Sequence, residues 1–302
     1  MNKLQKFFDP ETLARIRPLG LRARTLVEGL VAGLHRSPLR GQSLEFSQHR
    51  EYAPGDDLRQ VDWKVFARSD KYYLRQYEDE TNLTCYLLLD QSESMLYRGA
   101  PNGLSKLEYA QLIGCSLAYL VTTQQDSIGL VTFSVDVDDW LRPSNSPNQF
   151  DDMVRMLEHP IEGHPKTYMS HVLGHFIARA SKKGVVILIS DLFDEVPSVL
   201  RALKMLRHAG HDVLVLQVLD PWELSFPFDR MSRFEGLEEL PDVVTDPMLI
   251  AGAYRRAAAE LCRQLELGCL ALDSDYFRLV TDESLASSLP RILSSRLARR
   301  GS

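Results

Sequence analysis

An aspartate and two serines at alternate positions carry the most specific chemistry in the sequence: Asp90, Ser92 and Ser94, in Leu87-Leu88-Leu89-Asp90-Gln91-Ser92-Glu93-Ser94-Met95. Alternate residues of a turn can point the same way, so these three could present oxygens to one hard cation such as Mg²⁺, which takes octahedral oxygen ligation. One carboxylate and two neutral hydroxyls under-neutralise such an ion and leave it with a demand for one more anion from outside. The same residues also suit an Asx or Ser turn capping the next helix, since both types hydrogen-bond locally to backbone. The approach to the triplet sets it apart. Tyr86 to Leu89 is wholly apolar, which predicts a central strand covered on both faces and ending in polar groups.

A second run of the same kind, Val185-Val186-Ile187-Leu188-Ile189-Ser190-Asp191, also ends in a carboxylate. In open α/β sheets, ligands sit outside the carboxyl ends of strands, so Asp90 and Asp191 are candidates for one sheet edge. Two carboxylates there repel unless a cation or a proton intervenes. The surrounding elements read as alternating strands and helices. Ser105-Lys106-Leu107-Glu108 is a capping box opening a helix through Gln124 that is apolar nearly all round and therefore buried. Ile128 to Phe133 is a strand, Trp140 to Pro143 an edge strand closed by proline, and Gln149 to Leu157 a short helix. A loop from Gly163 to Ser170 enters another helix, Pro197 to His208 is a helix with proline in its first turn, and Val213 to Leu219 is a strand. Met248 to Leu267 is then a helix, Cys269 to Leu272 the last strand, and Asp282 to Arg300 an amphipathic helix kinked or restarted at Pro290. This order predicts an α/β fold with a doubly wound, mostly parallel sheet.

The chain has 302 residues, is 44% hydrophobic and 25% charged, and carries a net charge of −6, an ordinary globular composition. Cys85, Cys115, Cys262 and Cys269 form no CxxC pair and read as buried free thiols of a reducing compartment. No stretch approaches the roughly 20 apolar residues of a membrane helix, and the first ten residues lack a signal-peptide core. The expected location is the cytoplasm. Residues 1–40 hold eight Lys or Arg against three acids, on a helical pattern interrupted by Pro18 and Gly20. That basic stretch could be a phosphate-binding face, but a solvated helix surface is the simpler reading. His171 and His175 stand four apart on a predicted helix, with His159 and His164 upstream. Such a pair can bind zinc, yet it lacks the Glu of the metalloprotease pattern, and helix-surface histidines are the plainer interpretation.

Asp90-x-Ser92-x-Ser94 after an apolar strand resembles the metal-ion-dependent adhesion site (MIDAS) of von Willebrand factor A domains. A second signature precedes it: Arg50-Glu51-Tyr52-x-Pro54-Gly55-Asp56-Asp57-x-Arg59-x-x-Asp62-Trp63-Lys64-x-x-Ala67-Arg68. Its Arg and Asp residues suit carboxylate forks that pin loops. With the Asp90 motif it resembles the bacterial domain-of-unknown-function family fifty-eight (DUF58), whose members join this signature to a von Willebrand factor A-like domain. The resemblance implies an N-terminal segment over 1–80, an A-like domain over 81–302 with an insertion at about 220–247, and a metal set of Asp90, Ser92, Ser94, Thr167 and Asp191. Thr167 is there by the family pattern, with Ser170 as the alternative hydroxyl, and Asp191 binds through water. One departure is Leu192, where the family has glycine, so the loop after Asp191 is expected to open differently.

The implied function is a non-enzymatic, divalent-cation-dependent protein-binding module. Its open metal position (Mg²⁺, or Mn²⁺ or Ca²⁺) would take a Glu or Asp from a partner. By resemblance that partner is a MoxR-type AAA+ ATPase, with this chain as adaptor or co-chaperone. Two alternatives compete. A Mg²⁺-dependent phosphoryl-transfer enzyme would use Asp90 as nucleophile, although Ser92 stands where such hydrolases usually carry a second Asp. A nucleic-acid binder would use Arg15, Arg17, Arg22 and Arg24.

Overall fold

The computed structural model describes residues 19–34, 50–51, 73–74, 83–159, 169–230, 232–234 and 243–300. The chain divides into two compact units, residues 33–82 and residues 1–32 with 83–302. In the smaller unit the described strands β1 (Arg50–Glu51) and β2 (Tyr73–Leu74) pair antiparallel. The rest of the Arg/Asp-rich signature lies outside the described residues.

The larger unit is built on a six-stranded sheet of order β10-β7-β6-β3-β4-β5. Its strands are β3 (Thr84–Asp90), β4 (Ser127–Phe133), β5 (Val137–Ser144), β6 (Val185–Ser190), β7 (Asp212–Leu219) and β10 (Asp275–Val280). All neighbours are parallel except the edge pair β4–β5. This is the doubly wound, mostly parallel α/β sheet that the sequence predicts.

Every residue of β3 is buried, because helices cover both faces. Alternate side chains separate cleanly: Leu87 and Leu89 enter one apolar core, Tyr86 and Leu88 the other. The first core is closed by α1 (Leu19–Leu34), α2 (Lys106–Thr123), α3 (Gln149–Leu157) and α8 (Leu285–Arg300). The second is closed by α4 (Met169–Arg179), α5 (Val196–His208) and α7 (Pro247–Ala271). The capping box is formed as expected, with Glu108 N–H donating to Ser105 Oγ at 3.1 Å and Ser105 N–H to Glu108 Oε2 at 2.8 Å. The segment after β7 contains a short helix, α6 (Pro221–Ser225), and an antiparallel hairpin, β8 (Ser232–Phe234) with β9 (Val243–Thr245).

At the antiparallel edge the register slips between Ile128 and Leu130, which takes carbonyls out of the ladder. Buried Gln149 answers them, its Nε2 donating to Ile128 O at 2.6 Å and Arg142 O at 2.9 Å. Gly129 lies inside this irregularity, and a Cβ there would sit 2.8 Å from both Leu141 O and Pro143 N. Backbone cannot yield as a side-chain tip does, so Gly129→Ala is expected to lower stability by about 1–3 kcal/mol. An unchanged chemical-denaturation midpoint would show that the edge strand moves freely.

One sequence expectation is corrected. Cys269 to Leu272 is not the last strand: Cys269 to Ala271 complete α7, and the strand is β10, Asp275–Val280. The four-residue apolar run fits either state on pattern alone. Packing decides for helix, because Cys262, Leu265 and Cys269 recur at helical spacing on the buried stripe while Leu270 is exposed. The helix ends at Leu272, and Asp273 turns with φ 52°.

The parallel order brings the ends of β3, β6 and β7 to one edge. From β3 the chain passes to β4 on one side, whereas β6 lies on its other side. The connections therefore part between β3 and β6, and a crevice opens where they diverge.

Candidate metal centre

Asp90 closes β3 in that crevice and is 2% exposed. Its Oδ1 accepts from Ser92 N–H at 2.9 Å and its Oδ2 from Ser190 Oγ at 2.6 Å. The local Asx turn therefore exists. The serine hydroxyls, however, do not cap the 3₁₀ turn Glu93–Leu96 that follows, and Ser92 makes no side-chain capping bond. Ser92 Oγ and Ser94 Oγ lie 3.1 Å apart, and both serines are buried. Asp90, Ser92, Ser94, Ser190 and Asp191 line one small cleft, with Met169 of α4 at its wall.

Burial, then the charge of Asp191, push the Asp90 carboxyl up to about 7, against the hydrogen bonds from Ser190 and Ser92. Among the described residues Asp90 forms no ion pair. Asp191 is placed differently: its Oδ2 accepts from Lys106 Nζ at 2.7 Å and its Oδ1 from Phe193 N–H at 3.1 Å. Lys106 also donates to Glu223 Oε1 at 2.6 Å, and its side chain has 0% exposure. Burial alone would lower the lysine's pKa, but Asp191 and Glu223 outweigh it and the net shift is upward. The Phe193 ring lies 4.5 Å from the ammonium. Lys106 thus neutralises the Asp191 side of the crevice.

Sequence reasoning missed Lys106, Glu223 and Asp220. The signals were present. Lys106 is the one cation of an otherwise apolar helix, and β7 is a third apolar run that ends at a carboxylate, Asp220. Asp220 caps α6 through Trp222 N–H at 2.8 Å and accepts from Gly99 N–H at 2.9 Å, while Glu223 accepts from Asp220 N–H at 2.8 Å.

The structure brings Asp90, Ser92, Ser94 and Asp191 to one cleft. Thr167 lies outside the described residues. Ser170 is exposed in the first turn of α4. Leu192 takes φ 56°, a left-handed conformation open to glycine at lower cost. Its side chain is 1% exposed in the second core, and burial of a leucine, worth about 1.5–3 kcal/mol, offsets the backbone penalty.

A hard divalent ion fits this donor set. Its donors at Asp90, Ser92 and Ser94 are all oxygen, and among the described residues neither His nor Cys lines the cleft and no cation pairs with Asp90. Asp191 has one oxygen committed to Lys106, which suits contact through water rather than direct ligation.

Residues 48–260 match the family described as "Protein of unknown function DUF58". The chain belongs to this family. Two relatives, the uncharacterized protein Rv1480 of Mycobacterium tuberculosis and the uncharacterized protein Mb1516 of Mycobacterium bovis, are each 24% identical over 300 residues, covering 97% of this chain and 92% of theirs. Among solved structures, the conserved hypothetical protein BatB of Bacteroides thetaiotaomicron is 18% identical, with a TM-score of 0.46 over 70% of this chain and 98% of that one. The SpRpn10 VWA domain is 11% identical, with a TM-score of 0.40 over 68% of this chain and 93% of that one. No helix among the described residues is long and apolar enough to cross a membrane. All four cysteines are buried, and none is joined in a disulfide.

Proposed function

We propose that this DUF58 protein is a cytoplasmic, non-enzymatic binding module whose partner supplies a Glu or Asp to a Mg²⁺-class ion, and that it serves a MoxR-type AAA+ ATPase as adaptor or co-chaperone. The observation that carries this reading is the meeting of the Asp90 carboxylate with the Ser92 and Ser94 hydroxyls in a cleft at the sheet's switch point. Asp90, Ser92 and Ser94 would hold the ion, with Thr167 as a further hydroxyl and Asp191 through water. When bound, the ion supplies a positive centre for an incoming carboxylate. Among the described residues Asp90 is the one carboxylate in that donor set, and a single carboxylate with neutral hydroxyls leaves a divalent ion with a demand for an external anion.

Lys106 weighs against phosphoryl transfer. A lysine beside strand-end aspartates could stabilise a phosphoryl group, but this one is enclosed and bonded to two carboxylates of the chain.

Calorimetry with Mg²⁺ and Mn²⁺ on wild type and Asp90→Ala tests the site: heats of binding are expected for the first and none for the second, and identical heats would remove the reading. Affinity capture with and without chelator tests the partner. Recovery of an AAA+ ATPase only with divalent ions is expected. Turnover of a generic phosphomonoester that vanishes in Asp90→Asn would favour the enzymatic alternative instead.

A further inference from the structure

We propose a second metal site, selective for borderline transition ions of the Zn²⁺ class, formed by Asp136, His171 and His175. The site shares no ligand with the Asp90 cleft and does not rest on the function proposed for it.

The three ligand atoms come from two elements. His171 and His175 stand one turn apart on α4, and Asp136 lies in the turn between β4 and β5. One ligand atom from each falls within 4.8 Å of the other two. His175 Nδ1 is 2.8 Å from Asp136 Oδ1, and His171 Nε2 is 3.5 Å from Asp136 Oδ2. Zinc–nitrogen and zinc–oxygen bonds of about 2.0–2.1 Å place neighbouring tetrahedral ligands roughly 3.3 Å apart. The His171 distance is within a few tenths of an ångström of that value, and the His175 contact is a hydrogen bond whose proton the cation would replace.

Two features distinguish the cluster from histidines scattered on a helix. Both imidazoles address the two oxygens of one carboxylate, with their ring centres 4.2 Å apart. That carboxylate is fixed before any metal arrives: Val137 N–H donates to Asp136 Oδ1 at 2.7 Å, and Ser134 N–H to the Asp136 carbonyl at 3.1 Å.

The donor chemistry selects the ion. Two imidazoles and one carboxylate suit Zn²⁺, Co²⁺ or Ni²⁺, whereas Mg²⁺ and Ca²⁺ prefer oxygen alone. Each side chain is about half exposed, 54% for either histidine and 49% for Asp136. An ion can therefore enter from solvent and keep water at its remaining position. A bound ion would join the β4–β5 turn to α4, the helix whose Met169 lines the Asp90 cleft.

Tag-free, metal-stripped full-length protein should be titrated with Zn²⁺ in the presence of excess Mg²⁺. The comparison proteins are His171→Ala, His175→Ala, Asp136→Asn and Asp90→Ala. One Zn²⁺ per chain is expected for wild type and for Asp90→Ala, with affinity at least about tenfold weaker in the other three. Co²⁺ substitution should give visible d–d bands in wild type that fade in the same three. Side chains this exposed are replaced at small cost to stability, and thermal unfolding without metal confirms that each variant is folded. Absence of stoichiometric Zn²⁺ binding to wild type overturns the proposal. So does binding that survives loss of all three ligands together, or binding that is lost with Asp90→Ala alone.

Discussion

Asp90→Asn is expected to abolish the response to Mg²⁺ and, in chelator at neutral pH, to give a protein more stable than wild type. The reason is the buried carboxylate, which forms no ion pair among the described residues. Its folded-state pKa stands at about 7 against an ordinary 3.8, so between those values the native state holds a proton that the unfolded chain has released. Stability of the metal-free protein should then fall as pH rises from about 4 to about 7 and level off above. Three pH units correspond to about 4 kcal/mol at 1.36 kcal/mol per unit. The amide loses one of the two hydrogen bonds that Asp90 accepts, at about 1 kcal/mol, which leaves a net gain of roughly 2–3 kcal/mol near neutral pH. Urea midpoints measured from pH 4 to 8 in chelator, then with Mg²⁺, read both effects. Equal pH slopes in wild type and variant, or equal stabilisation of both by Mg²⁺, would contradict the assignment of Asp90 as the ion's anchor.

Lys106→Met is expected to produce the largest loss of stability of any change at this edge, about 3–5 kcal/mol. Methionine keeps much of the lysine's apolar stem, so what is removed is the charge. Asp191 and Glu223 are then left facing each other in a space where both side chains are nearly closed to water. Burial already raises the Glu223 pKa, and Lys106 is the main group that opposes it. At roughly 2–4 °C per kcal/mol for a chain of this size, the melting temperature should fall by about 10 °C. The double variant Lys106→Met with Glu223→Gln should recover part of the loss, since one stranded charge is gone. A fall of less than about 1 kcal/mol in the single variant would mean that the triad is solvated after all.

Both predictions concern one edge of the sheet, and the two residues differ in how visible they are without coordinates. Asp90 announces itself: an uninterrupted apolar strand must be covered on both faces, and a polar triplet at its end has no packing reason to be there. Asp191 is legible by the same rule, as are the helices α2 and α3, whose caps and periodicity are local properties. The order of strands and helices suffices for a doubly wound parallel sheet, because parallel neighbours require crossovers. The end of α7 was not legible, since a short apolar run satisfies strand and helix equally until its neighbours choose.

What the sequence determined by itself, then, is the class of sheet and the residues at two of its strand ends, because burial on both faces and termination in a carboxylate are written in consecutive positions. Only the tertiary structure decided that Lys106, distant from Asp191 and Glu223 in the chain, lies between them, and that Asp136 meets His171 and His175. Such meetings depend on which strands are neighbours and where loops return, and a charge carries no local mark of the partner it will find once water is excluded.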